Sequence, residues 1–209
     1  AFGQTQTPWN FQLPPVVQRF ARNGAFTDAD KVRGVPGDSV ALTGSNFLDP
    51  TDPNYRLGVF FDGIRAGWDT VTEGSVSVVV PPGAMTGPIT VTNNAGATTT
   101  SGYFYLAPWV TAFTSRARVG DTLTLSGRSF RAVSSVSFGG VSTTNLTVVS
   151  NMLMTVVVPS GAPAAAPLTL ESPGGRFITV SNFVLAPRIN GFSPSNGAAG
   201  TLVTVSGFG

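Results

Sequence analysis

The sequence has no cysteine and no histidine among its 209 residues. Without cysteine there is no disulfide, no thiolate metal site and no cysteine nucleophile. Without histidine the chain lacks the commonest general base, the commonest metal ligand and the usual partner of a serine nucleophile. The lack of cysteine does not indicate in which redox compartment the protein lies. Because both residue types are absent, we expect a non-catalytic protein.

Charge is also scarce. Charged residues make up 11% of the chain, against about 25% in an ordinary soluble domain. The net charge is +2, and the cations, nearly all arginines, are scattered, whereas nucleic-acid binding needs a clustered basic surface. The nearest approach to a cluster is Arg116, Arg118, Arg128 and Arg131, which we expect on turns and strand ends. We therefore expect no nucleic-acid partner.

Long hydrophobic runs are missing too. No stretch of about 18 apolar residues occurs, so we expect no membrane span. The chain begins at Ala1 with no methionine and no charged leader, which fits a mature chain after signal-peptide cleavage. We expect a secreted or cell-surface location.

Short β-type segments are abundant, with Val, Leu, Phe and Thr alternating against small polar residues between turns. They belong to an internal repeat whose clearest part recurs at residues 37–44, 120–127 and 200–207. In each copy a glycine opens a strand and another closes it. Alternation along the strand predicts that the apolar side chains face a core. These side chains are Val40, Leu42, Leu123, Leu125, Val203 and Val205.

The repeat predicts the domain organisation. Each complete copy ends in an aromatic strand followed by Ala-Pro, at Ala107-Pro108 and Ala186-Pro187, and the next copy begins at once. The predicted divisions are an N-terminal arm at residues 1–19, sandwiches at 20–107 and 108–186, and the first strands of an incomplete third repeat at 187–209.

Residues 189–201, Ile-Asn-Gly-Phe-Ser-Pro-Ser-Asn-Gly-Ala-Ala-Gly-Thr, resemble the opening phrase of the IPT/TIG family nearly letter for letter. The second copy keeps Val110, Phe113 and Gly120 but departs from the family at residues 114–117. The first departs more, through two insertions. The resemblance is to the bacterial surface or secreted type of the family. It implies an all-β protein of tandem immunoglobulin-like sandwiches with seven strands each, which binds a ligand or acts as a spacer. It implies no catalytic residues.

The third copy lacks the strands that would close a sandwich, which leaves two interpretations. Either the native protein continues, or the terminal segments pack on neighbouring subunits and build a homopolymer. The apolar N-terminal arm would then have the complementary role. The predicted inter-subunit residues are Phe2, Trp9, Phe11, Ile189, Phe192, Val203 and Val205.

One oxygen-rich insertion is a weak candidate for a metal site. Asp49, Asp52 and Asn54 carry the ligand types that Ca²⁺ prefers, and Asp28 and Asp30 raise the same question. Their spacing fits no EF-hand, and such residues beside proline are ordinary turn formers. We favour turns, and expect no cofactor, with Ca²⁺ as the candidate ion if there is one.

Tryptophan is the residue a carbohydrate-binding surface would use, by placing a sugar ring on the indole face. The candidates are Trp9, Trp68 and Trp109. For Trp68 and Trp109 we favour a packing role, since Trp109 follows the proline between two repeats. A surface glycan remains the alternative partner.

Three functions follow. The leading hypothesis is a self-assembling subunit of an extracellular fibre or surface layer, because the repeats are regular and the charge is low. The alternatives are an adhesive or carbohydrate-binding module and a spacer region of a larger secreted enzyme.

Overall fold

Strands and tight turns make up nearly all of residues 12–22, 32–48 and 55–208, the parts of the protein that a computed structural model describes. The predicted fold class, all-β with tandem immunoglobulin-like sandwiches, is confirmed. The described residues include one short 3-10 helix, Phe130–Ala132. None of them forms a helix long and apolar enough to cross a membrane.

The chain divides into two compact units, residues 1–106 and 107–209. In the first unit two sheets have the strand orders β1-β3-β7-β6 and β2-β9-β8-β4-β5. The strands are β1 (Val16–Arg22), β2 (Arg33–Gly34), β3 (Ser39–Ser45), β4 (Gly58–Phe61), β5 (Ile64–Ala66), β6 (Trp68–Val71), β7 (Ser75–Val79), β8 (Gly87–Asn93) and β9 (Gly96–Leu106).

The second unit repeats this topology, with the strand orders β10-β12-β16-β15 and β11-β18-β17-β13-β14. Its strands are β10 (Trp109–Phe113), β11 (Arg116–Ala117), β12 (Thr122–Arg128), β13 (Ser135–Phe138), β14 (Val141–Thr143), β15 (Leu146–Val148), β16 (Leu153–Val157), β17 (Ala165–Ser172) and β18 (Gly175–Leu185). A two-stranded sheet follows, formed by β19 (Arg188–Ser193) and β20 (Thr204–Phe208).

The described part of each sandwich has nine strands, not the seven implied by the resemblance. The first strand accounts for part of the difference, because it is divided between the two sheets. In the second unit β10 pairs antiparallel with β12, and β11 then pairs parallel with β18 in the other sheet. Short edge strands such as β5 and β14 account for the rest.

Each sandwich has its own core between the two sheets. The predicted core residues Val40, Leu42, Leu123 and Leu125 are fully buried, as expected when alternate side chains point between the sheets. An edge-to-face phenylalanine pair recurs in both cores, with ring centroids 5.2 Å apart in Phe61–Phe104 and again in Phe138–Phe183.

The opening hairpin occurs three times with one register. Each pairing, β1 with β3, β10 with β12 and β19 with β20, contains a bulge at the same place. The partner strand carries a glycine there, because a Cβ at Gly127 would overlap with the carbonyl oxygen of Trp109. Gly44 and Gly207 meet the matching carbonyls. The first strand starts at Val16 and thus includes the end of the predicted arm.

The third hairpin differs from the other two in burial. Val203 and Val205 occupy positions equivalent to core residues but are about half exposed. The reason is that β20 pairs with β19 alone among the described residues, and no second sheet covers the pair. The predicted core position is therefore wrong for these two valines.

Candidate functional site

A groove of about 510 Å³ runs along the edge of the second unit, between β10 and β18. We call it the aromatic groove. It is lined by Trp109, Val110, Thr111, Ala112, Phe113, Ser115, Phe177, Thr179, Val180 and Ser181. All ten lining residues are uncharged, so the groove combines aromatic and aliphatic surface with hydroxyl groups.

Its main feature is the pair formed by Trp109 and Phe177. The two ring centroids lie 4.9 Å apart with the planes inclined at 49°, which is the tilted geometry that aromatic rings prefer. Trp109 is the first residue of β10, next to the buried Pro108. It stays 54% exposed, so that part of the indole is held by a neighbouring ring while the rest is accessible.

The hydroxyl groups of the groove fall into two kinds. The Oγ1 of Thr179 donates to the carbonyl of Ser181 at 2.8 Å and accepts the N–H of Leu168 at 2.9 Å. The Oγ1 of Thr111 donates to the carbonyl of Ser126 at 3.0 Å. These two hydroxyls are engaged in the fold. Ser115 and Ser181 are exposed, so their hydroxyl groups are free to contact a ligand.

The first unit has the same backbone but not the same chemistry at this place. By strand register, Val16 stands where Trp109 stands, and Thr98 where Phe177 stands. The hydroxyl of Thr98 donates to the carbonyl of Pro15. The first unit therefore joins these strands by a hydrogen bond, and the second by two rings.

The other predicted stacking residues are less well placed. Trp68 lies on the edge strand β6 and is about half exposed. Within the described chain no aromatic ring packs on it. Trp9 lies outside the described residues. Of the two described tryptophans, Trp109 is the one that shares a groove with a second aromatic ring.

The weak metal candidates Asp49, Asp52 and Asn54 lie outside the described residues, as do Asp28 and Asp30. Among residues 12–22, 32–48 and 55–208, acidic side chains nowhere gather in a group of three that could hold a metal ion.

Of the predicted inter-subunit residues, Phe2, Trp9 and Phe11 also lie outside the described residues. On the third hairpin Ile189 and Phe192 are 70% and 60% exposed, and they share its apolar surface with the two exposed valines.

Sequence reasoning missed Phe177. Its partner Trp109 is far away along the chain, and the two meet on strands of opposite sheets, which no local pattern reveals. A signal was present, because aligning the two copies by their closing strands places Phe177 opposite Thr98. A large apolar residue at a position where the other copy has a small polar one indicates a local difference in surface chemistry.

The family model of the IPT/TIG domain matches residues 108–184, and no curated protein sequence matches the chain. Similar solved structures include the tandem immunoglobulin domains of titin, at 12% identity and a TM-score of 0.38, covering 82% of this chain and 95% of that one.

Two surface glycan-binding proteins are also similar. One, from Prevotella bryantii, is 16% identical with a TM-score of 0.44, over 81% of this chain and 42% of the other. Another, from a complex xyloglucan utilization locus in Bacteroides uniformis, is 18% identical with a TM-score of 0.40, over 81% of this chain and 49% of the other. The chain spans less than half the length of either glycan-binding protein.

Proposed function

We propose that this protein, whose residues 108–184 match the family model of the IPT/TIG domain, is a non-catalytic, extracellular binding module that holds carbohydrate in the aromatic groove. Ligand sites are typically concave and mostly apolar, with a few hydroxyls or other polar groups that orient the ligand. The aromatic groove has this composition.

The observation that carries the proposal is the exposed indole of Trp109 beside Phe177. A sugar ring has an apolar face of C–H groups, which packs on an aromatic face, and hydroxyls that pair with hydroxyls such as those of Ser115 and Ser181. The glycan-binding proteins named above resemble this chain too distantly to indicate a ligand, so the proposal rests on the groove itself.

The test is binding of the whole chain to a panel of neutral and acidic oligosaccharides, followed by titration calorimetry with those that bind. We expect Trp109→Ala to weaken binding at least about tenfold, or about 1.4 kcal/mol. The matched control is Trp68→Ala, which removes a tryptophan of similar exposure from the first unit and should leave affinity unchanged. Unaltered binding by Trp109→Ala, with the fold checked by circular dichroism, would contradict the proposal.

Self-assembly is a second candidate function, supported by the exposed apolar surface of the third hairpin. In the second unit the residue that matches Val205 is the buried Leu125, so this surface has the character of a core. If it mediates assembly, Phe192→Ser with Val205→Ser should reduce the mass measured by light scattering at high protein concentration. An unchanged mass, or a monomeric parent chain, would exclude this role.

A further inference from the structure

The second unit has another cavity, of about 180 Å³, at the end of the sandwich where the turn before β12 meets the turn before β17. Two arginines, Arg118 and Arg188, line it together with Ser160. The buried Leu185, at the end of β18, also lines it. We call it the arginine cavity. It is separate from the aromatic groove, with which it shares no lining residue.

Two tight turns fix the walls of the arginine cavity. The first begins at Arg118, whose N–H donates to the Asp121 carboxylate at 2.8 Å and whose carbonyl accepts the Asp121 N–H at 3.1 Å. Gly120 has φ +87° at the third position of this turn, as a type II turn requires. The second turn presents Ser160 and is closed by a 3.3 Å hydrogen bond from Ala162 to Pro159. Both turns thus have defined backbones before any ligand binds.

Neither arginine of the cavity forms an ion pair within the part of the chain that the structure describes. Within the described chain the ion pairs are Arg22–Asp38 at 2.9 Å and Arg176–Glu171 at 3.2 Å, and neither includes Arg118 or Arg188. Residues 107–209 contain six arginines and two acidic residues, a formal charge of +4. Residues 1–106 contain six cationic and eight acidic residues, a charge of −2. The small net charge of the whole chain conceals a positive second unit.

The scaffold does not require arginine or serine at these positions. The first unit makes the same two turns, with the Asp38 N–H donating to Val35 at 3.1 Å and the Ala84 N–H to Pro81 at 3.1 Å. Val35 stands there in place of Arg118, and Pro82 in place of Ser160. Polar groups that the fold does not need, gathered around one cavity, indicate a ligand.

We propose that the arginine cavity binds the carboxylate of a uronic acid residue, so that the preferred ligand of this protein is an acidic polysaccharide. A guanidinium group presents its N–H donors in a planar fork that matches a carboxylate and stays charged at all physiological pH values. The volume equals that of about six water molecules, which accommodates a carboxylate and adjoining ring atoms. The hydroxyl of Ser160 supplies a further hydrogen bond.

The inference rests on the proposed function, because one chain of sugars would occupy both sites. Ser181 of the aromatic groove and Leu185 of the arginine cavity lie on the same strand, four residues apart. At a rise of about 3.3 Å per residue the separation is about 13 Å, a distance that a short oligosaccharide spans.

The test compares each acidic oligosaccharide with the same compound after methyl esterification, which removes the charge and keeps the sugars. Oligomers of galacturonate and of alginate are titrated into the whole chain by calorimetry. We expect the free acid of at least one to bind about tenfold or more tighter than its ester. Arg118→Gln with Arg188→Gln should abolish this preference, and raising the salt concentration from 50 to 500 mM should weaken binding of the acid but not of the ester.

Matched controls separate a site from general attraction. Arg65→Gln and Arg176→Gln, alone and combined, remove one or two exposed positive charges outside the cavity and should preserve the preference. Equal loss in these controls, or equally tight binding of a single-stranded DNA oligonucleotide, would overturn the inference, because either result shows only attraction between opposite charges.

Equal affinity for acid and ester would also overturn it, while the proposed function would stand if Trp109→Ala still weakened binding at least about tenfold. Failure of every sugar, neutral or acidic, would overturn both.

Discussion

The two units share one scaffold and differ in what they display on it. Strand order, hairpin bulge, turn geometry and core phenylalanine pair recur almost unchanged. Where β1 meets β9 the first unit has Val16 and a hydroxyl–carbonyl bond from Thr98. Where β10 meets β18 the second has Trp109 packed on Phe177. The residues that pack in the two cores are alike, and the residues that differ between the units lie mainly on the accessible surface.

This contrast shows which exposed residues need an explanation other than stability. Stability alone explains a buried phenylalanine, because its burial contributes several kcal/mol. It does not explain Trp109 or Arg118, since the first unit folds the same way with Val16 and Val35 at the equivalent positions. The residues that distinguish the second unit are thus the ones to assign to binding.

The largest effect on the unfolding free energy is expected in the cores, where the two units are most alike. Phe104→Ala and Phe183→Ala each remove a fully buried ring from an edge-to-face pair and should lower the unfolding free energy of their own unit by about 3–5 kcal/mol. Hydrogen exchange with mass spectrometry measures the loss of protection unit by unit. Phe177→Ala, a half-buried ring, serves as the milder control. A difference of several kcal/mol between the two core variants would break the equivalence of the units.

The next largest effect on stability is expected at the glycine of the hairpin bulge. Gly44→Ala and Gly127→Ala both place a methyl group against a backbone carbonyl, which should cost about 1–3 kcal/mol. Thermal melts of the two variants provide the comparison. Gly67→Ala is the matched control, because nothing lies within 4 Å of a Cβ there, and it should be neutral. Tolerance of alanine at one bulge only would show that the two hairpins do not share this geometry.

Much of this fold could be predicted from sequence because its determinants are local. Alternation places Val40, Leu42, Leu123 and Leu125 in the cores, and the repeated glycine phrase fixes the number of copies. The divided first strand could not be predicted in this way. Its change of sheet depends on a parallel pairing between β11 and β18, whose sequence separation no periodicity encodes.

The candidate site was predictable only in part. Trp109 stands out by its residue type, but its neighbour Phe177 lies on the opposite sheet. Arg118 and Arg188 are unremarkable in a scattered set of arginines until the turns bring them to one cavity. Surface sites depend on which turns and strand ends meet, and sequence patterns describe single elements.

A smaller effect is expected for the energetic coupling between Trp109 and Phe177 across the aromatic groove. A double-mutant cycle with Trp109→Val and Phe177→Thr, which installs the first unit's residue types, should give a coupling energy of about 0.5–1.5 kcal/mol. The corresponding cycle of Val16→Ala and Thr98→Ala should give almost none, because the Thr98 hydrogen bond goes to the backbone. Denaturant unfolding of the parent and the six variants measures both cycles. Similar coupling in both cycles would mean that the rings add nothing specific to the second unit.

The smallest difference concerns the turn carboxylates. Asp38 and Asp121 each accept a backbone N–H at 2.8 Å, but Asp38 also forms the 2.9 Å ion pair with Arg22. Asparagine keeps an acceptor for the N–H and removes the charge, so Asp38→Asn should cost about 0.2–1 kcal/mol more than Asp121→Asn. Thermal melts at low salt should show the gap, and 1 M NaCl should narrow it by screening the pair. If the gap persists at high salt, its cause is hydrogen-bond geometry at the turn and not the charge of the pair.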